Sequence, residues 1–437
     1  MELQRQTSSF FAANLGLHGK EVTPKQAARV NAVMNPPRAG KRPTEAKGPA
    51  VKAYKARWIN SVERALEILE LYATADQDRH LGAVAYPDPV TGQPELVDAA
   101  TARIYYRQLE RAFKARQLTT AEAERYVAAR QRLLLAGEAI FPGERLQGDA
   151  VSVSAWMVQA FAKASGDRNR YHLDPAYAEQ SRFHGVVAHG LFTVCHMLAS
   201  LGRVLPAYVL ETLETHFRAP VYLGETLTPL AEVQEVREGG QAVVRLSAVN
   251  QEGTIVCEGT ATVKPEKPGP FLPVPPAELH WLRQWAQEVT PAVPARVYDF
   301  TDPAAPRTQT FAKPITPELV RATQALFGPL YPHQLSLLLT LGTMAMASAE
   351  SAPGHLLLTA QVSQVEGPIE AGDELSLAAT APPPAQIRRS QQGTGTPIVP
   401  LDIAVTNQRG APVLQGQVVK LMEERPLPSL PTLQQNS

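Results

Sequence analysis

The chain has 437 residues, 44% of them hydrophobic and 19% charged, which leaves room for two or three domains with sizeable cores and excludes a disordered or fibrous protein. Formal net charge is zero, so the molecule as a whole is no electrostatic glove for nucleic acid, and no apolar run reaches the roughly 18 to 20 residues of a membrane span. Cys195 and Cys257 stand in no ligand-spaced pattern and the amino terminus lacks a signal-peptide core, so disulfide frameworks and zinc ribbons are excluded and a reducing cytoplasm is expected.

Residues 1–57 hold eleven Lys or Arg against three Glu and are broken by Pro36-Pro37, Pro43 and Gly48-Pro49. They read as a basic, disordered arm. From Ile59 to Ala75 the apolar residues Ile59, Val62, Ala65, Leu66, Ile68, Leu69 and Tyr72 share one helical face, with Asn60 or Ser61 as N-cap. Turn chemistry at Tyr86-Pro87-Asp88-Pro89 and Thr91-Gly92 predicts a break. Residues 97–137 then read as two helices, the first with Leu109, Ala112 and Phe113 facing inward. The second opens at Thr119 or Thr120 and buries Ala121, Tyr126, Ala129, Leu133 and Leu134. Residues 58–138 are therefore expected to form a small helical domain.

After a turn-rich joint at 143–148, Val151–Ser154 leads into a helix over Ala155–Ala164. That helix delivers a tight Ser165-Gly166-Asp167 turn and a polar loop with Asn169 and His172. Asp174-Pro175 reads as the N-cap and first-turn proline of a short helix. A helix apolar almost all round follows from about Gly185 to Leu201, and such a helix must be wrapped by other structure. Strand-length runs at Leu210–Arg218, Thr226–Val236, Gln241–Val249 and Thr254–Val263 supply the wrapping. A long helix inside an antiparallel sheet is the hot-dog arrangement, expected over 139–264.

The proline-rich KPEKPGPFLPVPP opens a linker taken as 265–294, and beyond it the chain repeats itself. PVYLGETL at 220–227 returns as PIEAGDEL at 368–375, and NQEG at 250–253 returns as NQRG at 407–410. ITPELVRATQALFG at 315–328 matches VSVSAWMVQAFAKASG at 151–166. The second copy, 295–423, is shorter and lacks the SGDxNxxH loop; 424–437 reads as a disordered tail. The fold class expected is α+β, a tandem (double) hot-dog fold preceded by a small helical N-terminal domain.

An acid and a base five residues apart across a turn, Asp167 and His172, can converge on one bound water. Singly, Asp167 could be only a turn residue and His172 only a hydrogen-bonded loop histidine. A metal is not expected: His172, His184, His189 and His196 form no HxH or HExxH pattern, and the last two are two helical turns apart. Cys195 reads as core.

Residues 161–201 resemble the MaoC-like, (R)-specific enoyl-CoA hydratase (hydratase 2) family, whose signature runs F-A-x-x-S-G-D-x-N-P-x-H-x-D, a helix, then A-H-G. The matches are Phe161, Ala162, Ser165, Gly166, Asp167, Asn169, His172, Asp174, Tyr177, Ala178, Phe183, Ala188, His189 and Gly190. Arg170 and Tyr171 depart from it, and loss of the family's proline removes a φ restraint from the loop. The resemblance implies that Asp167 and His172 activate water, that Asn169 orients them, and that Gly190 offers its amide to the thioester oxygen. Ser165, Arg170, Tyr171, Phe183 and His189 are the substrate-binding candidates, with Arg168, Arg170, Arg182, Arg203 and Arg218 as cations for a phosphopantetheine. The activity implied is (R)-specific hydration of trans-2-enoyl thioesters, or the reverse dehydration of (R)-3-hydroxyacyl thioesters, without a cofactor. The expected partner is an acyl-CoA or acyl-carrier-protein thioester, with no nucleic acid and no membrane span, on a monomeric pseudo-dimer or a homodimer. The competing expectation is a non-catalytic acyl-thioester binding or scaffold protein, with thioesterase chemistry a third.

Overall fold

A computed structural model describes residues 62–73, 83–87, 94–135, 142–237, 240–266, 269–270, 272–287, 289–292, 307–351, 356–365, 368–390 and 395–422. The arm expected at 1–57 and the tail at 424–437 lie outside the described residues. The chain divides into two compact units, with the boundary between Ile140 and Phe141.

The first unit contains α1 (62–73), β1 (Ala83–Pro87), β2 (Pro94–Asp98), α2 (Ala99–Lys114) and α3 (Thr120–Leu135). It is not purely helical: β1 and β2 pair antiparallel from Ala83 opposite Asp98 to Pro87 opposite Pro94. Tyr86 and Pro87 of the expected break belong to β1, Pro87 in the last pair of the ladder, where a missing amide costs least, and the rest of that break lies outside the described residues. α1 buries Val62, Ala65, Leu66, Ile68, Leu69 and Tyr72 as its periodicity predicts. On α2, Leu109 and Ala112 are buried but Phe113 is 40% exposed, its ring tilted against Tyr126. α3 opens on a capping box in which the Thr119 amide donates to Glu122 Oε2 at 2.7 Å and the Glu122 amide to Thr119 Oγ1 at 3.3 Å.

In the second unit, β3 (Arg145–Gln147), β4 (Val151–Ser152), α4 (Ala155–Ser165), α5 (Arg170–Leu173), α6 (Pro175–Glu179) and α7 (Gly190–Val204) precede strands β5 (Tyr208–Phe217), β6 (Thr226–Val236), β7 (Ala242–Val249) and β8 (Ile255–Pro265). Then come α8 (Pro276–Ala286), β9 (Thr308–Pro314), α9 (Pro317–Phe327) and α10 (Pro332–Ser351), followed by β10 (Leu356–Val365), β11 (Glu374–Thr380), β12 (Arg388–Arg389), β13 (Pro397–Thr406) and β14 (Pro412–Leu421). The main strand order is β3-β6-β7-β8-β5-β10-β14-β13-β11-β9. One sheet therefore serves both copies, joined where β5 pairs antiparallel with β10. Within it lie α7, buried from Leu191 to Gly202, and α10, which pack against each other. This is a double hot-dog fold.

The duplication extends to single hydrogen bonds. The Tyr222 amide donates to Glu225 and the Glu370 amide to Asp373, each at 2.8 Å, around Gly224 and Gly372 at positive φ. Asn250 Oδ1 accepts the amides of Glu252 and Thr254, and Asn407 Oδ1 those of Arg409 and Ala411. The connections differ: α4 and α7 are separated by 166–189, whereas α9 and α10 are separated only by 328–331.

Two boundaries are corrected. The linker expected at 265–294 contains α8, whose Pro276 sits in the first turn, where its absent amide is not needed. Lys163 of α4 donates to the Trp285 carbonyl at 2.9 Å and lies over its ring, which docks α8 on α4. The buried helix starts at Gly190 rather than near Gly185, because Val187 pairs in a bridge with Tyr222 and His189 takes the N-cap position.

The two copies meet in a ring cluster of Phe161, Phe192, His196 and Phe327, with His196 5.0 Å from Phe327. His196 Nε2 is buried without a hydrogen-bond partner, and burial pushes its imidazole down to about 3. Burial likewise raises the Cys195 thiol, as suits a core side chain. Because the folded value for His196 lies below the ordinary one near 6.5, its contribution to stability is present above that pH and lost as pH falls toward 3. His196→Leu should flatten the fall in urea midpoint between pH 7 and pH 5, by about 2 kcal/mol of unfolding free energy at pH 5. A fragment of residues 140–265 exposes the β5 edge that β10 covers, so it should self-associate or precipitate in sedimentation analysis; a stable monomer would contradict mutual support of the copies.

Candidate active site

α4 stops at Gly166, which takes a left-handed conformation (φ 88°) and returns its amide to the Ala162 carbonyl at 2.9 Å. An added Cβ there would lie 3.0 Å from Met346 of α10. The last carbonyls of α4, Ala164 and Ser165, accept from Lys313 Nζ of β9 at 2.9 and 2.7 Å. A cation thus meets the negative end of the helix, though burial pushes that ammonium down to about 7.

Asp167 leaves this anchored end. Its amide donates to Ser165 Oγ at 3.0 Å and its Oδ1 accepts the Asn169 amide at 3.3 Å, an Asx-type turn. Asn169 Oδ1 accepts the Tyr171 amide at 3.3 Å and so caps α5, the single helical turn that carries His172. The stretch expected to be a loop is therefore partly helical. Asn169 thus acts through the backbone, by starting the helix that carries His172.

His172 Nδ1 lies 2.7 Å from the Val187 carbonyl oxygen. A carbonyl only accepts, so Nδ1 carries the proton and Nε2 keeps its lone pair. His189 Nε2 faces the Asp167 carbonyl at 2.9 Å in the same sense, and its ring centroid lies 3.7 Å from that of His172, the planes tilted by 32°. Burial lowers both imidazoles. For His172, the Asp167 charge and the Val187 bond oppose that effect and Lys420 adds to it. His189 falls well below its ordinary value, with His172 adding to burial. Both rings are thus neutral bases at neutral pH. Asp167, His172 and His189 hold donor atoms within 4.8 Å of one another, a grouping that spacing along the chain does not show.

Asp167 and His172 open on a cavity of about 310 Å³ lined also by Asn169, Tyr171, Phe183 and Gly190 from the first copy. Gly190 begins α7 where first-turn amides lack intrahelical acceptors, and a Cβ there would come within 2.9 Å of Phe217 and 3.1 Å of Leu357. An oxygen in the cavity can therefore approach the positive end of a helix. The far wall comes from the second copy: Ala345 and Ser348 of α10, Leu356 and Leu357 of β10, and Lys420 of β14.

Of the binding candidates, Tyr171 and Phe183 line the cavity and meet edge to face at 5.5 Å. Ser165, Arg170 and His189 do not line it. Ser165 holds the Asp167 amide and His189 the Asp167 carbonyl. Arg170 pairs with Asp174 at 2.7 Å and stacks on Tyr177 at 4.2 Å, so it braces α5 against α6. Asp174 also accepts the Tyr177 amide at 3.1 Å as the N-cap of α6. Arg182 and Arg218 reach the cavity, whereas Arg203 pairs with Asp149 at 3.2 Å and donates to the Phe327 carbonyl.

Sequence reasoning missed Lys313 and Lys420. A signal existed: strand alternation places each on an inward-facing position, where a lysine is out of keeping with apolar neighbours such as Ile315 or Val418.

The family description "MaoC like domain" matches residues 140–253. The chain is 37% identical over 121 residues to a 3-hydroxybutyryl-CoA dehydratase of Methylorubrum extorquens, covering 26% of this chain and 74% of that protein. It is 34% identical over 112 residues to an (R)-specific enoyl-CoA hydratase of Aeromonas caviae, covering 24% and 82%. A solved Mycobacterium tuberculosis protein described as a double hot-dog fold aligns at 16% identity over 65% of this chain and 97% of that one, with a TM-score of 0.48.

Gly166→Ala combines a left-handed backbone with the Met346 contact, so it should lower stability by roughly 1 to 3 kcal/mol, read as a reduced thermal midpoint. A midpoint unchanged from the parent would contradict the anchored turn.

Proposed function

Because the chain belongs to the MaoC-like dehydratase family, we propose that it hydrates trans-2-enoyl thioesters to (R)-3-hydroxyacyl thioesters, or runs the reverse dehydration. One observation carries this reading: the Asp167 carboxylate, the His172 Nε2 lone pair and the amino end of α7 at Gly190 share one cavity. A water held between Asp167 and His172 loses a proton to His172 as its oxygen adds to Cβ. The electron pair moves through Cα toward the thioester oxygen, which the Gly190 amide and the helix dipole stabilise. The imidazolium, steadied by the adjacent carboxylate, then gives its proton to Cα. Atoms balance as one water added across the double bond.

The names of the relatives cover both coenzyme A and acyl-carrier-protein thioesters, which supports a thioester on either carrier as the substrate. Arg182 and Arg218 on the cavity wall suit the phosphates of a phosphopantetheine carrier. No described helix is long and apolar enough to cross a membrane. The second hot dog covers the β5 edge, which supports action as a monomeric pseudo-dimer.

Loss of conjugated-enoyl absorbance from crotonyl-CoA and longer trans-2-enoyl-CoA substrates measures the reaction. Asp167→Asn and His172→Ala should each lower kcat by roughly 10²- to 10⁴-fold. No turnover across chain lengths and carriers would favour the non-catalytic binding role.

A further inference from the structure

Lys420 has no assigned part in the chemistry above, yet its side chain is buried in the wall of the same cavity as Asp167, His172 and Gly190. Its Nζ donates to the Ser348 carbonyl near the end of α10 at 3.1 Å. The duplication shows what would otherwise stand there. Lys420 pairs with Val399 across β13–β14 as Val263 pairs with Ala242 across β7–β8, in ladders closed by the matched Asn407 and Asn250 turns. Val263 is an ordinary core residue, 3% exposed. The second copy thus carries a cation where the first carries an apolar side chain. Burying an ammonium is costly, and the Asp167 carboxylate on the wall of the same cavity attracts this one.

We propose that Lys420 is a positioning residue of the catalytic centre, its ammonium being the counter-charge that holds the Asp167 carboxylate toward the water site, so that the second hot dog completes the chemistry of the first. The role rests on the proposed hydration. Burial brings the Lys420 ammonium down to about 8 despite the opposing attraction of Asp167, and its charge helps keep His172 neutral. The other titratable or charged groups on the cavity wall are Arg182, Arg218 and the phenols of Tyr171 and Tyr222, with the His189 ring tilted behind His172.

The test uses full-length protein and the variants Lys420→Met and Lys420→Arg. With crotonyl-CoA, Lys420→Met should lose roughly 10- to 100-fold in kcat with KM little changed, while Lys420→Arg recovers most of the rate. The parent's activity should decline above about pH 8 as the ammonium is lost, and in Lys420→Arg that decline should move to higher pH. A folded Lys420→Met with parental kcat overturns the inference, as does an unaltered alkaline limb in Lys420→Arg if the Met variant fails to fold. A parent that turns over no enoyl thioester sinks the hydratase reading instead. In that event ¹⁵N-histidine NMR decides the inference: the His172 titration should move up in Lys420→Met and stay in place in Lys420→Arg. An unmoved midpoint in Lys420→Met overturns it.

Discussion

Two helices that are apolar on nearly every side, α7 and α10, can leave water only by burial in one another and in a sheet. That constraint organises the second unit. A sheet long enough to cover both helices is reached only by joining the copies edge to edge at β5 and β10, which also removes the open edge each copy would present alone. The site follows from the same packing, because the amino end of α7 comes to lie beside β10, β14 and the carboxyl end of α10.

Within that frame the catalytic candidates are held by backbone groups to an unusual extent. The Val187 carbonyl sets the tautomer of His172, the Asp167 carbonyl takes His189 Nε2, and Lys313 takes the last carbonyls of α4. Backbone acceptors do not titrate, so the orientation of the rings is insensitive to the protonation changes that chemistry demands of them. The motif's other polar residues serve the same end: Ser165, Asn169, Arg170 and Asp174 cap or brace the turns on which Asp167 and His172 sit. Arg170, where the family has proline, replaces a covalent restraint on φ with an ion pair to Asp174 and a stack on Tyr177.

The copies have diverged in complementary directions. The first keeps the long connection between α4 and α7 with its acid, amide and base; the second has reduced that connection to 328–331 and carries buried Lys313 and Lys420. A buried lysine on an isolated fold is a liability. Here Lys313 donates to helix-end carbonyls of the other copy, while Lys420 donates to the Ser348 carbonyl of its own copy and lines the cavity that holds Asp167. The half without the long connection supplies a wall of the cavity that the other half opens on.

Much of this was legible along the chain. Apolar periodicity, alternating strands and the paired turns at Asn250 and Asn407 are local patterns whose physics acts over a few residues, so they determined most of the elements, the duplication and the double hot-dog fold, but not the β1–β2 hairpin of the first unit. The motif determined Asp167, Asn169, His172 and Gly190 as one group, and capping chemistry determined the role of Asp174. The helix α8 inside a proline-rich stretch and the true start of α7 were not legible, because docking on α4 and the bridge from Val187 to Tyr222 involve partners distant in sequence. Only the tertiary structure decided which motif residues face the cavity and which lie behind it. Only it decided that the lysines of the second copy reach the first, since an inward-facing position on a strand acquires chemical meaning from whatever the fold packs against it.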